Sequence, residues 1–194
     1  AKKLGCRVLT INGNLDPDFS WREPEPTVNS LKDTALIVRQ LNADLGVGHD
    51  GDADRSIFID DRGRVMWGDR SAAIIAKYLA RKLSGRKVFT AVSSSLLVEE
   101  VLNPLGIEVV WLKVGSVGIS YEMLKHDDTL CGFEENGGFI YPRHQYVRDG
   151  GMTFALMLQL LAEENRKLSE LYDELPKYYS EKIKIPMERS KALE

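Results

Sequence analysis

Three aspartates at alternate positions, Asp50, Asp52 and Asp54, stand directly before Arg55 in this chain of 194 residues. Carboxylates this close together repel one another unless a cation collects their oxygens, and oxygen is the ligand type that Mg²⁺ and Ca²⁺ prefer. The residues between the aspartates are small. The pattern therefore predicts a metal loop, with a solvated acidic turn as the alternative.

Two other readings of the same aspartates have to be weighed. The spacing matches the first three ligand positions of an EF-hand, but Arg55 stands at the sixth position, where glycine is needed, and a strand is predicted to follow where a helix should. A phosphatase-like nucleophile pair is chemically feasible, because a carboxylate beside a metal can attack phosphorus. The sequence offers no evident Thr, Lys or second acidic motif to support that pair.

A glycine-rich turn, GFEENGG at 132–138, places Glu134 and Asn136 two residues apart. A carboxylate and a neighbouring carboxamide can together accept from and donate to the adjacent hydroxyls of a sugar, while glycine lets the backbone approach. The turn is a candidate sugar-binding element, and an ordinary hairpin turn is the alternative.

Positive charge occurs at two further places. Lys113 follows a predicted strand and is a candidate phosphate-binding or proton-transfer group, or a surface lysine. Arg143, His144 and Arg148 lie in one loop, which is equally consistent with a solvated loop. The serines at 93–95 are typical of a helix cap.

The composition is that of an ordinary globular chain, with 43% hydrophobic and 28% charged residues. A net charge of −3 argues against a nucleic-acid partner. Cys6 and Cys131 are far apart in apolar surroundings, which predicts reduced core cysteines and a cytoplasmic location. No apolar run approaches the roughly 18 to 20 residues of a membrane span, so we expect no membrane partner.

The elements that must position these groups follow an α/β rhythm. In the first part we predict a helix end before Gly5, strands at 7–11 and 44–47, a helix at 27–42, and a hairpin formed by 56–60 and 64–67. Further along we predict helices at 69–83, 95–102, 116–125, 152–164 and 168–175, and strands at 87–92, 108–112, 129–133 and 139–141. Residues 179–194 alternate at first, like a strand.

The polar loops follow strands in this scheme. The carboxyl ends of parallel strands meet at one edge of a sheet, so the loops after the second group of strands should lie together there. The metal loop also leaves the end of a strand, where ligands collect in open α/β sheets. The location favours a functional loop.

Four segments together, HDGDADR, KVGSVGISYEM, GFEENGG and RDGGMT, resemble the α-D-phosphohexomutase family of phosphomannomutases, phosphoglucomutases and phosphoglucosamine mutases. Members of that family have four domains around a cleft: a phosphoserine loop, a metal loop, a sugar-recognition loop and a phosphate clamp come from successive domains. The resemblance implies two sequential α/β domains with mixed, mainly parallel sheets flanked by helices, the first one incomplete. It places the metal-loop domain at 1–68, the sugar-recognition domain at 69–178, and the start of a linker to a fourth domain at 179–194.

The resemblance also implies roles for single residues. Asp50, Asp52 and Asp54 would hold Mg²⁺ against the phosphoserine, and Arg55 would steady the transferring phosphoryl group as a catalytic residue. Lys113 would be a catalytic and substrate-binding group, and Glu134 and Asn136 would contact the sugar. The family's usual turn has Ser at the place of Asn136 and often His at that of Gly138, and some relatives have a proton-transferring His at that of Ser116.

The implied function is movement of phosphate between the 1 and 6 positions of mannose or glucose, through a phosphoserine enzyme and a bisphosphorylated sugar. The alternative within the family is a phosphoglucosamine mutase, and the alternative from another class is a non-catalytic metal- or sugar-phosphate-binding module. The partners expected are a hexose phosphate and the remaining domains of a parent chain. Since the family's serine loop and phosphate clamp do not occur in this sequence, we expect no turnover by the chain alone.

Overall fold

Helices and strands alternate along residues 1–179, which are the residues that the computed structural model describes. The helices are α1 (Lys32–Gln40), α2 (Gly68–Ala80), α3 (Leu97–Leu102), α4 (Ser116–Met123), α5 (Gly150–Glu164) and α6 (Leu168–Asp173). The strands are β1 (Gly46–His49), β2 (Ser56–Ile59), β3 (Lys87–Ala91), β4 (Glu108–Leu112), β5 (Thr129–Phe133) and β6 (Phe139–Ile140). Short 3-10 turns occupy Lys2–Leu4 and Asn103–Leu105. The α/β class is confirmed, and the strand pattern noted after residue 179 lies outside the described residues.

The main sheet has the strand order β4-β3-β5-β6. The central strand β3 runs parallel to β4 and β5, and β6 is antiparallel to β5. Neighbouring side chains of β3 point to opposite faces: Val88 joins the large core with α2, α3, α5 and α6, and Phe89 packs with Ile119 and Met123 of α4. The mixed, mainly parallel sheet flanked by helices is confirmed here.

A second, smaller sheet consists of β1 and β2, paired antiparallel from Gly46 opposite Ile59 to His49 opposite Ser56. The residues between the two strands are the loop that carries the aspartates. The loop leaves the end of β1, as expected, but it connects the two strands of an antiparallel hairpin and does not lie at the edge of an open parallel sheet. Because β1 and β2 are paired with each other, both ends of this short loop are fixed in position.

The hairpin packs into the core of the main sheet. Phe58 and Met66 are fully buried in the same cluster as Ile75, Val88 and Met157. Met66 N donates a hydrogen bond to Phe58 O at 2.8 Å, Asp60 N donates to Arg64 O at 3.1 Å, and Ile59 forms an antiparallel bridge with Val65. The hairpin predicted from 56–60 and 64–67 is therefore present as these contacts. Residues before and after position 68 thus share one hydrophobic core.

Two expectations for the first part were wrong. Residues 7–11 form no strand: they pair with no other strand in residues 1–179, and Leu9 is exposed. A β-rich composition yields a strand only where a partner supplies hydrogen bonds and burial. The helix predicted from Thr27 begins at Lys32, because 28–31 form turns, although Thr27 Oγ1 does accept from Ser30 N at 3.1 Å.

Among the described helices, none is long and apolar enough to cross a membrane.

Candidate metal and substrate site

The loop between β1 and β2 brings its three aspartates together. One carboxylate oxygen from each of Asp50, Asp52 and Asp54 lies within 4.8 Å of the others. Ala53 adopts a left-handed backbone with φ 59°, and its N donates to Asp50 O at 3.2 Å, which turns the chain back so that the carboxylates converge. A left-handed conformation is strained for a residue other than glycine, and such strain is often found at binding sites.

Asp50 is buried and is neutralised by Arg55. Arg55 N donates to Asp50 Oδ1 at 3.1 Å, and Arg55 Nε donates to Asp50 Oδ2 at 2.6 Å. Burial alone would raise the pKa of Asp50, but the hydrogen bonds from Arg55 outweigh it and hold the pKa below its usual value. Asp50 is therefore a carboxylate at neutral pH, as a metal ligand has to be.

Asp54 is neutralised from the other side by Arg148. Arg148 Nη2 lies 2.7 Å from Asp54 Oδ2. Burial, and after it the negative charges of Asp50 and Asp52, raise the pKa of Asp54 although Arg148 opposes them. Asp54 Oδ1 is buried and has no hydrogen-bond partner in the described residues. A buried carboxylate oxygen without a partner is costly, and a cation would satisfy it.

These features fit a hard divalent cation such as Mg²⁺. Its oxygen ligands lie about 2.0–2.1 Å from the ion, so opposite ligands are separated by about 4 Å. The three carboxylate oxygens lie within 4.8 Å of one another, near enough to share one ion, and Asp54 Oδ1 has no competing hydrogen bond within residues 1–179. Asp50, Asp52 and Asp54 are the residues that would hold the ion.

The outer end of Arg55 is held by Glu25. Arg55 Nη1 and Nη2 donate to the two Glu25 carboxylate oxygens at 2.8 and 2.9 Å. Burial alone would lower the pKa of Arg55, but Glu25 and then Asp50 outweigh it and raise the pKa. The bidentate geometry is the one in which a guanidinium also binds a phosphoryl group, and the Glu25 side chain is 50% exposed, so it can be exchanged for a ligand.

The Glu134 turn lies directly against this hairpin. Ser56 N donates to Gly137 O at 3.0 Å, Arg55 and Gly138 form an antiparallel bridge, and Gly68 N donates to Glu135 O at 2.8 Å. The structure therefore brings together two motifs that are far apart in the sequence.

Glu134 is 3% exposed and both of its oxygens have partners. Oε1 accepts from Gly115 N at 3.0 Å, and Oε2 accepts from Arg148 Nη1 at 3.1 Å. Asn136 Oδ1 accepts from Gly138 N at 3.1 Å, which leaves the amide nitrogen as the group to offer a ligand. A sugar contact by Glu134 would use its remaining lone pairs or exchange one of these partners.

Lys113 is at the same edge of the sheet but does not contact the Asp loop. It is exposed just after β4, two residues before Gly115, and forms no ion pair or hydrogen bond within residues 1–179. Of the predicted site residues, it is the one that the structure leaves apart from the others. Its position beside Gly115 keeps it near the Glu134 turn.

A cavity of about 430 Å³ opens beside the two motifs. Asp54 and Arg148 form one wall, and the outer surface of α4 forms another, with Val117 and Tyr121 largely exposed. The polar end of the cavity is therefore the pair of side chains that join the two motifs.

Two residues that form ion pairs with the Asp loop or with Arg55 were not singled out from the sequence. Arg148 was noted only as part of a charged loop, and Glu25 was not noted at all. In that loop the three side chains have different partners: Arg148 reaches both motifs, His144 Nε2 lies 2.9 Å from Asp149 Oδ2, and Arg143 is exposed with no partner in the described part of the chain. The one signal available for Arg148 was its place directly before Asp149, which caps α5.

Comparison with known proteins supplies the family context. A family model described as phosphoglucomutase/phosphomannomutase, alpha/beta/alpha domain II, matches residues 1–63, and the model for domain III matches residues 67–179. The chain is 58% identical, over 96% of its length, to the phosphoglucosamine/phosphogalactosamine mutase of Sulfurisphaera tokodaii, of which it covers 41%. It is 41% identical to the phosphoglucomutase/phosphomannomutase of Thermococcus kodakarensis, with the same coverage of 96% and 41%.

A solved structure is also similar. The crystal structure of a phosphoglucomutase/phosphomannomutase family protein from Burkholderia thailandensis superposes with a TM-score of 0.83 at 23% identity, covering 91% of this chain and 38% of that one. At that identity the match supports the fold. The chain thus spans about two fifths of the length of the curated relatives described above.

Proposed function

This chain belongs to the phosphoglucomutase/phosphomannomutase family, and we propose that it supplies the metal-binding and sugar-recognition parts of a phosphohexomutase. Such an enzyme moves a phosphate between the 1 and 6 positions of a hexose, through a phosphoserine and a bisphosphorylated sugar. The observation that supports this most is the ion-paired contact of the Asp loop with the Glu134 turn through Arg148. It places a cation site next to groups suited to sugar hydroxyls.

The proposed roles follow from the chemistry of the side chains. Phosphoryl transfer depends on positioning and on neutralisation of charge, and Mg²⁺ bound by Asp50, Asp52 and Asp54 would supply part of that neutralisation. Arg55 would exchange Glu25 for oxygens of the transferring phosphoryl group, because the two present the same bidentate acceptor. The buried Asp50 keeps Arg55 oriented during that exchange.

Sugar recognition is proposed for Glu134, Asn136 and Lys113. The Asn136 amide nitrogen would donate to a hydroxyl, and Glu134 would accept from one. Lys113, exposed and unpaired within residues 1–179, would contact the substrate from the end of β4. In this proposal the phosphoserine comes from another part of the parent protein, so residues 1–194 alone would not turn over.

For the substrate we favour an aminohexose phosphate over mannose or glucose phosphate. The support is the relative at 58% identity, whose name specifies phosphoglucosamine and phosphogalactosamine, against 41% for the relative named for glucose and mannose. Glucosamine and galactosamine differ in the orientation of one hydroxyl.

The experiment is a comparison of kcat/KM for the parent protein on the 1-phosphates of glucosamine, galactosamine, glucose and mannose, with product formation followed by ³¹P NMR. We expect the two amino sugars to be preferred. Preference for glucose or mannose would move the assignment to that branch of the family. Absence of turnover on all four sugars would favour the non-catalytic binding module instead.

A further inference from the structure

The guanidinium of Arg148 lies between one carboxylate of the Asp loop and one of the Glu134 turn. Nη2 is 2.7 Å from Asp54 Oδ2, and Nη1 is 3.1 Å from Glu134 Oε2. The side chain of Glu134 is 4% exposed, against 23% for Arg148 and 25% for Asp54. Because a buried carboxylate needs a cation more than an exposed one does, the pair with Glu134 anchors Arg148.

The backbone around Arg148 holds the guanidinium in place. Arg148 forms an antiparallel bridge with Ile140 beside β6, and the next residue, Asp149, caps α5 by accepting from Met152 N at 2.8 Å. Gly138 leaves room for the side chain, since a Cβ built there would overlap Arg148 Cδ. The backbone of Arg148 is thus held between β6 and α5, and its side chain packs against Gly138.

We propose that Arg148 is a positioning residue that couples cation binding at the Asp loop to the placement of Glu134. The proposal rests on the cation role proposed above for the aspartates. Arg148 occupies Asp54 Oδ2 and leaves Oδ1 for a cation, since Oδ1 is buried without a hydrogen-bond partner in the described residues and Arg55 Nε is 3.8 Å away. A divalent cation there repels the guanidinium toward Glu134, so a loaded Asp loop holds Glu134 more firmly.

The coupling is reciprocal, as any linkage between two binding equilibria is. If Glu134 loses its charge, the guanidinium of Arg148 pairs with Asp54 alone. It then repels a cation bound at the Asp loop more strongly. If Arg148 is replaced by an uncharged side chain, Glu134 loses its charged connection to the Asp loop. Metal affinity then becomes nearly independent of Glu134.

The test is a double-mutant cycle on Mn²⁺ affinity in the parent protein, with the ion alone as the probe and free Mn²⁺ measured by electron paramagnetic resonance. We expect Glu134→Gln to raise the Kd for Mn²⁺ about fivefold in the otherwise unaltered protein. In the Arg148→Met background the same substitution should change Kd by less than about twofold. An equal factor in both backgrounds would overturn the coupling.

Arg143→Met is the matched control, because it removes the same charge from the same loop at an exposed position with no partner in residues 1–179. The effect of Glu134→Gln should stay about fivefold in that background. If Arg148→Met fails to fold, Arg148→Lys replaces it. A lysine can reach one carboxylate where the arginine reaches two. The increase in Kd for Mn²⁺ caused by Glu134→Gln should therefore be smaller in the Arg148→Lys background. An unchanged increase would overturn the proposal.

The outcomes separate this proposal from the proposed function. No Mn²⁺ binding by the unaltered protein would overturn both. Binding without coupling would overturn the role of Arg148 alone. Coupled binding in a protein inactive on every hexose phosphate would contradict the mutase assignment and leave the coupling standing.

Discussion

Arg55 is paired with Asp50 and also lies 3.8 Å from Asp54, and Arg148 is paired with Asp54. The remaining aspartate, Asp52, faces solvent. Residue types and spacing were enough to predict that the carboxylates of the three aspartates come together, because they are close in the chain. Arg148 and Glu25 could not be found that way, since folding alone brings them to the loop. Glu134 was identified by its chemistry, but its burial and its two existing partners follow from packing.

The ion pair of Glu25 and Arg55 leads to a prediction. Glu25→Gln removes the anion that competes with a phosphoryl group for Arg55, so we expect KM for the sugar phosphate to fall about threefold, the range of an exposed ion pair. Steady-state kinetics of the parent protein would measure it. Glu23→Gln, exposed in the same loop and unpaired within residues 1–179, should leave KM unchanged. A raised KM for Glu25→Gln would mean that Glu25 organises Arg55 and does not compete.

Among the secondary-structure elements, the strands of the parallel sheet agree best with the sequence-based prediction. Strands β4 and β5 were predicted to the residue, because each is a short, mainly apolar run between turn residues and each has a partner in β3. Residues 7–11 have a similar composition but no partner strand in the described part of the chain, so composition misled there. The hairpin β1–β2 was missed because its pairing joins two segments that were predicted to be separate.

The contact between α2 and the Glu134 turn is tight enough to be tested. A Cβ at Gly68 would lie 2.6 Å from Gly137 Cα, so Gly68→Ala should push the turn away and cost about 1–3 kcal/mol of unfolding free energy. Gly118→Ala is the control, because nothing lies within 4 Å of the added carbon in α4. That change should stabilise the protein by about 0.5–1 kcal/mol. Urea unfolding would measure both, and an unaffected Gly68→Ala would show that the turn is not held by this contact.

The contact between the turn after β2 and the start of α6 should depend on pH. Burial alone would raise the pKa of Asp61, but the hydrogen bond from Ser169 N at 3.1 Å, aided by Lys167, holds the pKa below its usual value. The contribution of the Asp61 carboxylate to the unfolding free energy is therefore fully present above the pKa of about 3.9 that an aspartate has in the unfolded chain. It is lost as the pH falls through the lower pKa of Asp61 in the folded protein.

Asp61→Asn should accordingly lower the unfolding free energy by about 1 kcal/mol near neutral pH. The difference from the unaltered protein should shrink as the pH is lowered to roughly 3. Urea titrations at the two pH values would measure it. Asp127→Asn, exposed and unpaired in the described residues, should have no such effect, and an equal loss for Asp61→Asn at both pH values would exclude a contribution from the charge.

For the whole molecule, the hairpin with the Asp loop and the main sheet with the Glu134 turn share one core through Phe58 and Met66. That shared core fixes the distance between the proposed metal and sugar groups. The α/β class was predictable from alternating patterns, whereas the sharing of one core across position 68 was not, because it depends on which face of the hairpin meets α2 and α5. The relatives are more than twice as long as this chain.

In the proposed enzyme, the Asp loop of this chain carries the metal that phosphoryl transfer uses. The most direct measurement is the Mg²⁺-dependent conversion of glucosamine 1-phosphate to glucosamine 6-phosphate by the parent protein and by its Asp52→Asn variant, which removes an exposed carboxylate with little effect on packing. We predict conversion by the unaltered protein and a loss of about a hundredfold or more in kcat/KM for the variant. A variant that keeps the full rate with Mg²⁺ present would show that the Asp loop does not carry that metal.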